Sequence, residues 1–86
     1  GVYQGIRAAA KHHLGREDLE GLRVAVQGTG KVGFYLMEHL FAAGCQVVAA
    51  DVDADSLRKA KDAYPRLEIV APEAIWEQEA DVLSPN

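Results

Sequence analysis

The sequence predicts an α/β fold built on a doubly wound parallel sheet of about four strands, and three observations point to it. Short β-branched runs alternate with stretches of helical apolar spacing along the 86 residues. The first such run, "VAVQGTGKVG", breaks into glycines spaced G-x-G-x-x-G where strand character gives way to helix character. Hydrophobic residues make up 49% of the chain, enough for the modest core of one small domain. Strands alternating with helices of this length form right-handed βαβ units, whose strands lie parallel in one sheet.

Each element has its own justification. "GVYQGIRAAAKHHLG" sets Val2, Ile6, Ala9, Ala10 and Leu14 at helical spacing, with Gly15 placed to end an amphipathic helix. "REDLEG" is a polar connection. "LRVAVQ" is a short strand, apolar on both faces at Val24, Ala25 and Val26, as a sheet covered on both sides requires. From Lys31 to Ala43 the residues Val32, Leu36, Leu40 and Ala43 mark one side of a second helix, and Gly44 is its C-cap. "CQVVAAD" is the second strand. Asp53 is a candidate N-cap for "ADSLRKAKDAY", where Leu57, Ala60 and Tyr64 recur at steps of three and four. "LEIV" is a third strand, Pro72 suits the first turn of a short helix running to about Gln78, and "DVLS" is a fourth strand. The expected organisation is a leading helix over 1–15 and a βαβαβαβ unit over 22–86, with strand order 3-2-1-4. The start at Gly1 and the close on "DVLSPN" fit a segment of a longer protein.

Composition narrows the function. Nine Lys and Arg against thirteen Asp and Glu give a net charge of −4, and the basic residues are scattered, which argues against a nucleic-acid partner. No run approaches the roughly 18 apolar residues of a membrane span and no signal peptide opens the chain, so a soluble, cytoplasmic setting is expected. The single cysteine, Cys45, has no metal-ligand spacing around it and reads as a small apolar residue entering a strand. His12 and His13 are adjacent, without the i, i+4 spacing of a metal pair, and suit the C-terminal turn of the first helix. Trp76 and Tyr64 read as core or rim packing, and "EQEAD" as a solvated face. No nucleophile–base constellation is present, so no catalytic residue is assigned.

The glycines carry the chemistry. Gly28 permits the tight turn off the strand, Gly30 lets a pyrophosphate approach the backbone, and Gly33 lets the helix pack closely on the strand. The helix that starts there offers unpaired N–H groups and the positive end of its dipole to phosphates. Asp51 ends the second strand at the distance of about 20 residues that the dinucleotide fingerprint requires. An acid there accepts hydrogen bonds from ribose hydroxyls and repels a 2′-phosphate, which selects NAD over NADP. Lys31 is either a phosphate partner or a solvated first-turn lysine. The plain structural alternative is a tight turn beside a helix capped by Asp51 or Asp53. These features together predict a Rossmann-type fold.

"GVYQGIRAAAKHHLG", "LEGLRVAVQGTGKVG", "VVAADVDADSLRKA" and "ADVLSP", in that order, resemble the cofactor domain of the glutamate/leucine/phenylalanine/valine dehydrogenase family. The helix ahead of the first strand is the more specific feature, and "DVDADSLRKA" is similar to the leucine, phenylalanine and valine branch. The resemblance implies NAD-dependent oxidative deamination of an apolar L-amino acid to its 2-oxo acid and ammonia. By position, Gly28, Thr29, Gly30, Lys31, Val32, Gly33 and Phe34 would form the phosphate loop. Asp51 and Val52 would meet the adenosine ribose, and Pro85 with Asn86 would approach the nicotinamide side. Leucine-type members generally have a Cys where this chain has Asn86. The catalytic lysine and aspartate, and most of the amino-acid pocket, would lie in another domain, and the full-length protein is expected to be a homo-oligomer. A rival is the nucleotide-sensing regulatory domain of potassium transporters and channels, which shares the glycine turn and the acid. It would bring a Gly-Asp-Ala-Thr-like turn after the third strand, where this chain has "VAPEAIWE".

Overall fold

The computed structural model describes residues 1–86. Its elements are α1 (Val2–Leu14), β1 (Arg23–Gln27), α2 (Lys31–Ala42), β2 (Gln46–Ala50), α3 (Ala54–Ala63), β3 (Glu68–Ile69), a 3₁₀ helix (Pro72–Glu77) and β4 (Val82–Pro85). All strand pairs are parallel and the order is β3-β2-β1-β4, the order the sequence predicts.

The two-residue side-chain period of the strands splits the core into two layers. Val24 and Val26 of β1 and Val47 and Ala49 of β2 join Ile6, Ala10, Leu36, Met37, Leu40 and Ala60 from the three α-helices. The alternate residues Ala25, Val48 and Ala50 face the other way and meet Ile75 of the 3₁₀ helix. Burying a side chain such as Leu40 completely contributes about 1.5–3 kcal/mol. The helical layer, with 14 buried residues against 4 on the other face, therefore holds most of the fold's apolar stabilisation.

Helix ends follow local chemistry. Gly15 stops α1 in the left-handed conformation at φ 67° and returns its N–H to the Ala10 carbonyl. At the end of α2 the capping position is Ala43, in right-handed geometry, and Gly44 takes the left-handed turn one residue later at φ 84°. Asp53 caps α3 as expected, its side chain accepting from the N–H groups of Asp55 and Ser56. Cys45 is buried, and its thiol donates to the Leu19 carbonyl at 3.4 Å. Burial pushes that thiol upward in pKa, against a smaller opposing effect of the Arg16 charge.

Several expectations need correction. Val2, Leu14 and Val32 keep the helical period yet stand exposed, so the apolar stripes are wider than the buried ones. The third strand shrinks from four residues to two, because the Leu67 amide is taken by a turn to the Tyr64 carbonyl and the strand starts only after it. The helix from Pro72 is 3₁₀, with the Ala74 amide bonded to the Ala71 carbonyl, and it ends at Glu77. Within it Ile75 takes the core position and Trp76 points outward, 64% exposed, so Trp76 does not belong to the core. Tyr64 does pack, stacking on Phe41 with ring centres 5.1 Å apart. The "EQEAD" stretch is only partly solvated. Asp81 accepts the Arg23 amide at 2.9 Å and Gln78 accepts from the Arg23 guanidinium at 3.3 Å, tying the approach to β4 onto β1.

Candidate dinucleotide-binding site

Strand register builds the site. Gln27 of β1 pairs with Ala50 of β2 on one side and with Pro85 of β4 on the other. The next residue of each chain segment is Gly28, Asp51 and Asn86, so these three emerge side by side from the carboxyl edge of the sheet. The Gly28 N–H donates to the Ala50 carbonyl at 2.8 Å, and the Asn86 N–H to the Gln27 carbonyl at 2.9 Å.

The three loop glycines face different surroundings. Gly28 has φ 98°, and a Cβ there would stand 3.1 Å from the Asn86 carbonyl oxygen. A Cβ on Gly33 would run into the carbonyl oxygen of Gly28. Both glycines thus answer to contacts within the protein, the turn in one case and the approach of α2 to the loop in the other. Gly30 is the opposite. Its φ of −68° suits any residue, and a Cβ there would have nothing within 4 Å. It faces open space in front of the first turn of α2.

That first turn is prepared for an anion. Gly30 is the N-cap, with no side-chain cap, and the turn contains no acidic residue. The N–H groups that a cap would ordinarily satisfy are therefore left for a ligand, at the positive end of the helix dipole. The contrast within the same chain is α3, which is capped by Asp53 and has Asp55 in its first turn. The residues present fit a pyrophosphate group at Gly30.

Asp51 stands beside the loop and is already engaged. Its Oδ2 accepts from the Thr29 N–H at 2.6 Å and from the Thr29 hydroxyl at 2.8 Å, and its Oδ1 accepts from the Asp53 N–H at 2.9 Å. Burial acts to raise its pKa, but hydrogen bonds from Asp53, from Thr29 twice and from Val52 outweigh it and hold the carboxyl below the usual range. The group is a carboxylate at neutral pH. The plain capping alternative is half present: Asp53 caps α3, and Asp51 turns to the glycine loop instead.

The remaining candidates separate by exposure. Lys31 and Val52 are exposed, Val52 at 91%, as are Pro85 and Asn86. The Asn86 amide donates to the Gly28 carbonyl at 3.5 Å, which brings it against the loop. Val32 turns to a groove shared with Val2 and Tyr3 of α1. The Phe34 amide is committed to the Gly30 carbonyl at 2.8 Å, and its ring lies 5.5 Å from that of Tyr64 and lines the cleft beside the loop. Between α2 and α3 lies a cleft of about 490 Å³ whose wall includes Thr29, Gly30, Lys31, Tyr35, Ser56 and Lys59. Sequence reading did not assign Tyr35, Ser56 or Lys59. Ser56 was legible as the third residue of an N-capping turn, and its hydroxyl indeed donates to Asp53 Oδ2 at 3.0 Å.

Residues 1–61 match the glutamate/leucine/phenylalanine/valine dehydrogenase family. The chain belongs to that family. Among relatives of the dehydrogenase family, it is 36% identical over 85 residues to a leucine dehydrogenase of Bacillus cereus, covering 99% of this chain and 23% of the relative. It is 46% identical over 71 residues to a valine dehydrogenase of Streptomyces albus, covering 83% of this chain and 20% of the relative. The fold superimposes on the crystal structure of L-tryptophan dehydrogenase from Nostoc punctiforme with a TM-score of 0.91 and 33% identity, covering 98% of this chain and 25% of that one. The chain thus spans about a quarter of the length of the dehydrogenases it matches. Family membership replaces the transporter-regulator reading. No helix is long and apolar enough to cross a membrane.

Proposed function

We propose that this segment, with α1 leading and the βαβαβαβ unit over 22–86, is part of the NAD-binding domain of a dehydrogenase that oxidatively deaminates an apolar L-amino acid. The observation that carries the reading is the uncapped, acid-free start of α2 behind an open Gly30, one strand away from an ionised Asp51. The names of the relatives, leucine, valine and L-tryptophan dehydrogenase, support an apolar side chain on the substrate.

In this reading the N–H groups at Gly30, Lys31 and Val32 hold the pyrophosphate, and Lys31 adds a positive charge beside it. Asp51 accepts from the adenosine ribose, and its charge repels a 2′-phosphate, which favours NAD over NADP. Val52 flanks the ribose, while Pro85 and Asn86 border the nicotinamide side. NAD held by these residues would supply the hydride acceptor for the amino acid's α-carbon, with water completing the conversion to the 2-oxo acid and ammonia. No residue of this segment is assigned to proton transfer.

The test is to incubate the full-length protein with NAD and, separately, leucine, valine, phenylalanine, tryptophan and glutamate, following NADH absorbance. NADH formation with the apolar amino acids is the expected result. Failure with all of them, or strict dependence on NADP, overturns the proposal.

A further inference from the structure

We propose that Thr29 is a positioning residue for the nucleotide, because its N–H and its hydroxyl both close on Oδ2 of Asp51 and leave Oδ1 as the oxygen presented to a ligand. The inference rests on the dinucleotide reading of the site and deepens it. An ionised carboxylate has about four acceptor positions. Thr29 takes two of them on Oδ2, at 2.6 and 2.8 Å, and the Asp53 amide bonds Oδ1 at 2.9 Å, with the Val52 amide also acting on the carboxylate. Oδ1 carries no bond from Thr29, and the side chain as a whole is half-buried.

Thr29 is suited to this task. It is 2% exposed, and its hydroxyl has Asp51 as its hydrogen-bond partner. A buried hydroxyl without a partner is costly, so the pair is held from both ends. The contact spans 22 residues of sequence and links the glycine loop of β1 directly to the carboxylate at the end of β2. Thr29 therefore fixes the rotamer of Asp51 before any ligand arrives, and a ribose hydroxyl meets an acceptor that need not reorganise. The depressed proton affinity of Asp51 agrees with this arrangement. A 2′-phosphorylated ribose gains nothing from it, so the contribution of Thr29 is to NAD alone.

The test uses the full-length protein with Thr29→Val, which keeps the shape and removes the hydroxyl, and Thr29→Ser, which keeps the hydroxyl. Calorimetric titration gives dissociation constants for NAD and NADP, and carbon-13 NMR of the Asp51 carboxyl in ligand-free protein gives its pKa. Thr29→Val raises the NAD constant at least fivefold, leaves the NADP constant nearly unchanged and raises the Asp51 pKa, while Thr29→Ser behaves as the natural protein. In an Asp51→Asn background Thr29→Val has no further effect on NAD. An unchanged Asp51 pKa in Thr29→Val overturns the proposal, as does an equal loss of NAD affinity with Asp51 replaced. Should Thr29→Val not fold, Thr29→Ala gives the same readouts. If the natural protein binds no dinucleotide the proposed function fails, while the ligand-free pKa still judges the Thr29–Asp51 link.

Discussion

Replacing Gly30 by valine separates binding from folding at one residue. The backbone at Gly30 has φ −68°, and nothing lies within 4 Å of where a Cβ would stand, so the isopropyl group enters solvent without strain. The change of N-cap residue costs stability within about 1 kcal/mol. Binding responds differently, because the new side chain fills the space through which a phosphate reaches the first-turn N–H groups. Loss of two charge-assisted hydrogen bonds, at about 1.5–3 kcal/mol each, amounts to about 3–6 kcal/mol. At about 1.4 kcal/mol per decade, NAD affinity falls at least 100-fold. The control is Gly28→Ala, where φ 98° and the Asn86 carbonyl at 3.1 Å make the cost one of folding, about 1–3 kcal/mol. Both variants of the full-length protein are assayed by calorimetric titration with NAD and by urea denaturation. The reasoning is refuted if Gly30→Val binds NAD within threefold of the natural protein, or if its stability falls as far as that of Gly28→Ala.

Further outcomes follow from the same site. Asp51→Ser removes the charge that repels a 2′-phosphate, so NAD weakens, NADP improves and the ratio of their dissociation constants shifts at least tenfold; an unaltered ratio would show that Asp51 serves the loop alone. The folded-state pKa of Asp51 is lowered, so its contribution to stability is fully present above the unfolded value of about 3.9 and is lost as pH falls through the lower folded value. Urea midpoints of the natural protein and Asp51→Asn should therefore converge below about pH 4, and a margin independent of pH counts against the hydrogen bonds described. Asp53→Ala removes the cap of α3 and costs about 1 kcal/mol by thermal denaturation, with NAD affinity retained because the Asp51 contact at this position uses the backbone N–H. Cys45, buried and raised in pKa, should be alkylated only as fast as the protein opens; prompt labelling at Cys45 in native protein, read by mass spectrometry, would contradict its placement.

Much of the fold was legible because its signals are local. Gly15, Pro72 and Asp53 end or start helices by their own backbone or side-chain chemistry, and the apolar runs of β1 and β2 announce strands buried on both faces. Exposure was less legible, since Val2, Leu14 and Val32 fit the helical period and only tertiary packing leaves them uncovered. The length of β3 depended on a turn that claims the Leu67 amide, and the 3₁₀ geometry after Pro72 on a segment of six residues with one core contact at Ile75. At the site, the glycine spacing and the distance to Asp51 were readable as a motif. The Thr29–Asp51 bonds were not, because they arise from the register of two strands, and no periodicity encodes which hydroxyl meets which carboxylate.

The bond from the Gly28 amide to the Ala50 carbonyl extends the β1–β2 ladder one residue past the strand and into the turn. The first glycine of the loop is therefore anchored as firmly as the sheet, and mobility can begin only after it. In hydrogen–deuterium exchange of the ligand-free protein, the Gly28 amide should share the slow exchange of the β1 core, while the amides of Gly30 and Lys31 exchange quickly. Thr29 is likewise held by Asp51, so a bound nucleotide has only Gly30 and the start of α2 to immobilise, and the entropy lost on binding is confined to that short stretch.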